Sequence, residues 1–217
     1  MGLSFKKTHT IVERFVHAKG TPALPAGLAK VIDLMAAETP HTDWAKLRAL
    51  DLSHEVPLLR AWFEVTLAME PPDERVHGLF FDVCQPGLQG GGTTADIALS
   101  GTRRSRSEDP DEWLFTQFYR PLAYACSPFL DELYGIAYGT HARQLVPRVL
   151  GNDAEYPLGL AYGVLAARAI LDGRTSRDVP RASSVLSIAA GFGEGDIALV
   201  GALTPTGFTP NTGPVWS

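Results

Sequence analysis

The chain has 217 residues, of which 45% are hydrophobic and 20% charged, with a formal net charge of -5. This composition is globular rather than disordered, and the length suffices for a substantial core within one α+β domain spanning residues 1–217. The negative balance excludes general nucleic-acid binding, which needs clustered Lys and Arg against phosphates.

Two cysteines, Cys84 and Cys126, make no disulfide framework and require no oxidising compartment. Lys6 and Lys7 are followed by no apolar segment with a small-residue cleavage site, so the start does not read as a secretory signal. The most apolar run, Leu158–Leu171, contains Arg168 and falls short of the roughly twenty residues a membrane span needs. A cytoplasmic protein without a membrane partner is expected.

The first 75 residues read as helical. Ile11, Val12, Phe15 and Val16 share one helical face, and Gly20 can close that helix. Pro25 suits the first turn of a second helix with a Leu28, Val31, Ile32, Met35 stripe, ended by Thr39-Pro40. A short third helix follows Thr42 or Asp43, with Trp44, Leu47 and Leu50 as its buried edge. The fourth, from about Ser53 to Glu70, has a broad apolar face suited to lying on a sheet and stops at Pro71-Pro72.

The sheet-forming part runs from 76 to 203 and is organised by two similar hairpins. In the first, Gly78–Cys84 leads through a glycine-rich turn with Gly90–Gly92 into Asp96–Gly101; in the second, Ser184–Ala190 leads through Gly191–Gly195 into Asp196–Gly201. Leu79, Phe81 and Val83 alternate with Phe80, Asp82 and Cys84, so one face packs on helices. The small residues of the second hairpin's other face either admit another helix or leave a shallow groove. The expected fold is therefore α+β, a mainly antiparallel sheet of two hairpins plus an intervening strand, packed against several helices.

Between the hairpins, Arg103, Arg104 and Arg106 are followed at once by Glu108, Asp109, Asp111 and Glu112, with Pro110 inside, which reads as a solvated loop. Trp113–Tyr119 then reads as a strand with Trp113, Phe115 and Tyr119 on a partly exposed aromatic face. Ser127-Pro128 with Asp131 and Glu132 signals a helix start, and Gly139 can end that helix. The segment from Pro157 to Leu171 is apolar on nearly every side, with Gly159, Gly163 and Ala167 at four-residue spacing, as a buried helix requires. Residues 204–217, with their prolines and glycines, read as an irregular tail.

The chemistry-bearing motifs are mostly missing. The chain has no Walker loop, no Gly-x-Ser-x-Gly elbow and no Cys-x-x-Cys, and His54-Glu55 meets Leu58 where a helical zinc site would need histidine. His9, His17, His41, His54, His77 and His141 show no ligand spacing, so no metal or other cofactor is expected. Both glycine runs precede strands rather than helices, so they read as turns and not as phosphate loops. A thiol nucleophile would use Cys84 or Cys126 with His77 or His141 and an orienting Asp82, but the Asp82 charge would raise a neighbouring thiol pKa. Asp82, Asp96 and Asp196 at strand ends read as turn and edge residues before catalytic ones.

The order Ser100-Gly101-Thr102, then Asp109-Pro-Asp-Glu-Trp113, then Tyr119-x-Pro121 and a helix opening at Ser127 resembles bacterial immunity-type proteins of toxin-antitoxin secretion systems, over roughly residues 78–135. The resemblance implies an acidic, cytoplasmic, non-catalytic protein that binds and neutralises a toxin domain. A protein-binding module of that kind would use Arg103, Arg104, Arg106, Asp109, Asp111 and Glu112 as a polar rim around Trp113 and Tyr119. A small hydrolase or transferase would instead need a pocket where a Cys or Asp meets a histidine. A structural subunit of a secretion apparatus would dock through sheet edges.

Overall fold

The computed structural model describes residues 2–85, 94–138 and 149–216, with side chains from residue 5 onward. The Gly90–Gly92 turn, the Gly139 helix end and His141 lie outside the described residues. Six helices occur among those described: α1 (Gly2–His17), α2 (Leu24–Glu38), α3 (Trp44–Arg48), α4 (Glu55–Met69), α5 (Pro128–Tyr138) and α6 (Asn152–Leu171). The strands are β1 (Gly78–Cys84), β2 (Asp96–Thr102), β3 (Gln117–Tyr119), β4 (Ala125–Cys126), β5 (Leu186–Gly191), β6 (Ile197–Thr204) and β7 (Gly207–Pro210). Among the described residues no helix is long and apolar enough to cross a membrane.

The fold is α+β, with one seven-stranded sheet ordered β3-β2-β1-β5-β6-β7 and β4 also paired to β2. Every pairing is antiparallel except that of β1 with β5, which is parallel and brings the two halves of the chain together at the centre. Residues 204–216 are not the irregular tail expected for 204–217. Gly207, at φ +131°, permits a tight reversal after β6, so β7 returns along that strand, and Trp216 bridges to Ala198.

The period-two alternation of β1 sends Leu79, Phe81 and Val83 into the main core with Ile97, Leu99, Ile188 and Val200, under the helices. α6 is buried along almost its whole length and packs on α1, α2, α4, α5 and the central strands. Its small residues allow close approach: a Cβ on Gly163 would stand 3.0 Å from Val83 Cγ2 and 3.5 Å from the Gly191 nitrogen. Pro157 falls inside α6, which begins at Asn152, five residues earlier than the proline signal suggests.

Two ionisable side chains are built into this core. Arg168, 1% exposed, donates to the carbonyls of Phe15, Val16, Ala18 and Gly20 at 2.6–3.0 Å, and so satisfies the C-terminal end of α1. Glu55, 2% exposed, accepts from Ser127 Oγ, the Phe129 nitrogen and the Tyr162 hydroxyl at 2.6–2.9 Å. It joins Ser127, whose Oγ accepts from the Leu130 nitrogen, in capping α5.

The opposite face of the sheet carries Phe80, Asp82 and Cys84 of β1, paired with Ser100, Ala98 and Asp96 of β2. Half of it is roofed. The segment 113–116 is a short 3-10 helix rather than the start of a strand, and it lays Trp113 and Leu114 over Phe80, Ala189 and Leu199 as a second small core. The other half, over β1 and β2 of the first hairpin, stays open, whereas the second hairpin's face with its small residues is covered at Ala189 and Leu199 by the helical turn 113–116.

Candidate functional site: a groove and an acidic cleft on the open sheet face

The open half forms a groove of about 420 Å³. Asp82, Cys84, Ala98 and Ser100 form its floor, Leu114 and Phe115 one wall, and Arg120, Pro121 and Tyr124 the other. Ser100 is 6% exposed, and its hydroxyl has no hydrogen-bond partner among the described residues. A buried hydroxyl without a partner costs stability, on the order of 1–3 kcal/mol.

At its far end the groove meets a larger cleft of about 610 Å³, the two sharing Asp82, Cys84, Gly193 and Glu194. Between them the Gly193 nitrogen donates to Asp82 Oδ1 at 2.8 Å. The cleft lies between the end of β1, the first turns of α6 and the β5–β6 turn, and its walls include Tyr134, Tyr156 and Phe192. Tyr156 and Phe192 are stacked with ring centroids 6.1 Å apart.

Four carboxylates, Asp82, Glu155, Glu194 and Asp196, line this cleft, and among the described residues no Lys or Arg does. Their partners are mostly neutral donors. Glu155 accepts from Tyr134 at 2.6 Å, from Gln85 at 2.9 Å and from Tyr138; Asp196 accepts from Tyr156 and has His9 Nε2 3.4 Å away. Burial, followed by the nearby Glu194, pushes the Asp82 carboxyl above its usual range, against the pull of the Gly193 N–H and Arg120. Burial and the adjoining carboxylates likewise push the Tyr134 and Tyr156 hydroxyls well up, so both remain neutral donors. The cleft is thus an aromatic-walled concentration of negative charge.

The thiols are not set up as nucleophiles. Burial, then Asp82 and Asp96, push Cys84 up to about 11, and its Sγ faces the Asp96 carbonyl at 3.8 Å. Cys126 is raised by burial, Asp96 and Asp131. His77 stands 3.4 Å from Glu108. Iodoacetamide at pH 8 should therefore label native Cys84 on the order of a hundredfold more slowly than an unfolded thiol, by mass spectrometry, because the thiolate fraction is so small. Labelling at the unfolded rate would refute that environment. Among the described residues, no three His, Cys, Asp or Glu side chains are grouped to hold a metal ion.

No protein-family model, curated protein or solved structure matches this chain.

The sequence-derived patch is only partly assembled. Trp113 is 1% exposed, so it cannot be a surface anchor: its ring roofs Phe80, while its neighbour Phe115 is turned outward at 86% exposure. Tyr119 is half-buried and donates to the Glu70 carbonyl at 2.6 Å. Arg106 is tied down to Ser187 Oγ, Asn211 and the Pro214 carbonyl. Arg104 pairs with Asp109 at 2.5 Å, and Arg103 lies over the Phe118 ring at 4.9 Å. Asp111 and Glu112 are exposed. These charges brace a structured loop more than they frame an interface.

The larger exposed surface is apolar and lies on α4. Its buried side is Glu55, Leu59, Phe63, Thr66 and Leu67, yet its outward side presents Pro57, Leu58, Ala61, Val65, Ala68 and Met69, with Trp62 half-buried beside them. Glu64 and Arg60 stand at one edge of this flank, linked to Arg174 and Asp172. The stripe continues onto residues 121–124, because Trp62 Nε1 donates to the Ala123 carbonyl and the Leu122 nitrogen to Glu70 Oε1, at 3.2 and 3.0 Å. Leu122 is 84% exposed and Met69 77%.

Proposed function

We propose that this chain is a non-enzymatic protein-binding module that holds a basic protein partner on α4 and the adjoining 115–124 segment. The immunity-type resemblance implies a toxin domain as that partner, and on this reading the toxin domain is basic. The observation that carries the reading is the second apolar flank of α4, running from Leu58 to Met69 and on to Leu122. A helix that is apolar all round belongs in a core, and contiguous exposed apolar surface of this kind marks association.

Charge selects the partner. A second copy would bring the same net charge of -5 and the same acidic cleft, so two copies repel, whereas a basic protein is attracted and steered. The experiment is affinity purification from the source cells with wild type and with Val65→Glu/Met69→Glu, whose replaced side chains are both exposed. The partner retained by wild type should be basic, reconstitute with it from pure components, bind more weakly as salt rises, and be lost by the variant at unchanged melting temperature. Equal retention by the variant, or a wild type that is itself a dimer broken by these substitutions, would overturn this assignment.

A further inference from the structure

The geometry points to a second, more specific contact: the groove and the cleft form one bipartite site for an extended peptide segment that sends an arginine or lysine side chain past Asp82 into the cleft. This rests on the binding reading above only for the natural carrier of that segment. Four features of the site support it.

The first is space. A cleft of about 610 Å³ joined to a groove of about 420 Å³ can hold a long basic side chain and the backbone that carries it. The second is an excess of negative charge, since the carboxylates of the cleft are met by phenols, an amide, a backbone N–H and His9, and among the described residues no Lys or Arg lines it. The third is the aromatic wall of Tyr134, Tyr156 and Phe192, whose ring faces favour an organic cation. Because no compact group of metal-ligating side chains occurs among the described residues, a broad cation fits this wall better than a bare ion.

The fourth observation lies in the groove and is independent of charge. Ser100, 6% exposed on the floor, keeps a hydroxyl with no partner among the described residues. Its Oγ is covered in this structure, so a peptide amide laid along the groove reaches it through a turn of the Ser100 side chain. Phe115 and Tyr124 on the two walls then cover the flanking residues of the segment, while Arg120 beside the groove disfavours a second basic side chain at that end.

The test is a titration of the full chain, followed by NMR chemical shifts, with the peptide acetyl-Ala-Arg-Ala-amide and its citrulline counterpart, which has nearly the same shape and no charge. The arginine peptide should saturate resonances of residues 82–85, 100 and 192–196 and bind at least tenfold more tightly than citrulline. Glu194→Gln, at an exposed position, should weaken it severalfold. Ser100→Ala should weaken it too, with the melting temperature unchanged or raised, because an unpartnered group is removed. Equal binding of both peptides, no saturable shift at those residues, or indifference to both substitutions would overturn the site. If the arginine peptide fails while the purified partner still needs Val65 and Met69, this inference falls alone; if the peptide binds and the partner ignores those positions, the docking reading falls instead.

Discussion

Arg168→Ala is expected to destabilise the fold by on the order of 3–5 kcal/mol, the range for removing one member of a buried charged hydrogen-bond cluster. The guanidinium reaches four carbonyls at the end of α1, and among the described residues no other side chain bonds to them. Its loss leaves them buried or wetted and frees α1 from α6. Arg168→Lys retains the charge but replaces a planar fork by a point donor, so it should recover only part of the loss. Urea unfolding measures both. A midpoint shift for alanine within the scatter of surface substitutions would show that α1 is not held this way. A domain of ordinary stability holds only about 5–15 kcal/mol in all, so the alanine variant should also show early loss of helical signal.

Glu55→Ala is expected to cost on the order of 3 kcal/mol, and Glu55→Gln somewhat less. The carboxylate receives three donors, Ser127 Oγ, the Phe129 nitrogen and the Tyr162 hydroxyl, and ties α4, α5 and α6 at one point. Alanine leaves all three without that acceptor. Glutamine keeps one oxygen but turns an NH₂ toward donors, so one contact becomes repulsive. Tyr162→Phe in the alanine background should recover stability, because the phenol is then no longer an orphan. Chemical unfolding of the two single variants and the double variant reads the coupling directly, and strict additivity would contradict it.

These two residues show what a sequence can and cannot reveal. Arg168 is visible as the lone charge in an apolar run, where it argues against a membrane span, but its partners lie about 150 positions away and carry no side-chain signature. The central strands were legible because alternation and glycine-rich turns are local signals. The parallel pairing of β1 with β5 was not, since it joins segments about a hundred residues apart. Trp113–Tyr119 misled for a related reason. Its aromatic content has strand propensity, but the open side of Phe80, Ala189 and Leu199 needs a cover, and burying the indole there outweighs that propensity.

The site was legible only in pieces. Small residues on the second hairpin announced a groove or a close contact, and the structure gives the close contact there, under Trp113 and Leu114, while the groove opens instead over Ala98 and Ser100 of the first hairpin. Asp82, Asp96 and Asp196 stood out at strand ends, yet the cleft also needs Glu155 and Tyr156 from α6, and nothing local ties those to a β5–β6 turn. The apolar breadth of α4 was plain from its residues. Which side would remain uncovered depends on where α6 and the sheet pack, and that is a tertiary fact.

The most direct measurement is photo-cross-linking in the source cells, with a benzophenone amino acid placed singly at Val65, at Leu122 and, as a control, at the exposed Lys30 of α2. A docking surface on α4 and its neighbouring loop predicts one and the same basic protein attached at 65 and at 122, and nothing specific at 30. Adducts only between copies of this chain, or none at either position, would contradict it.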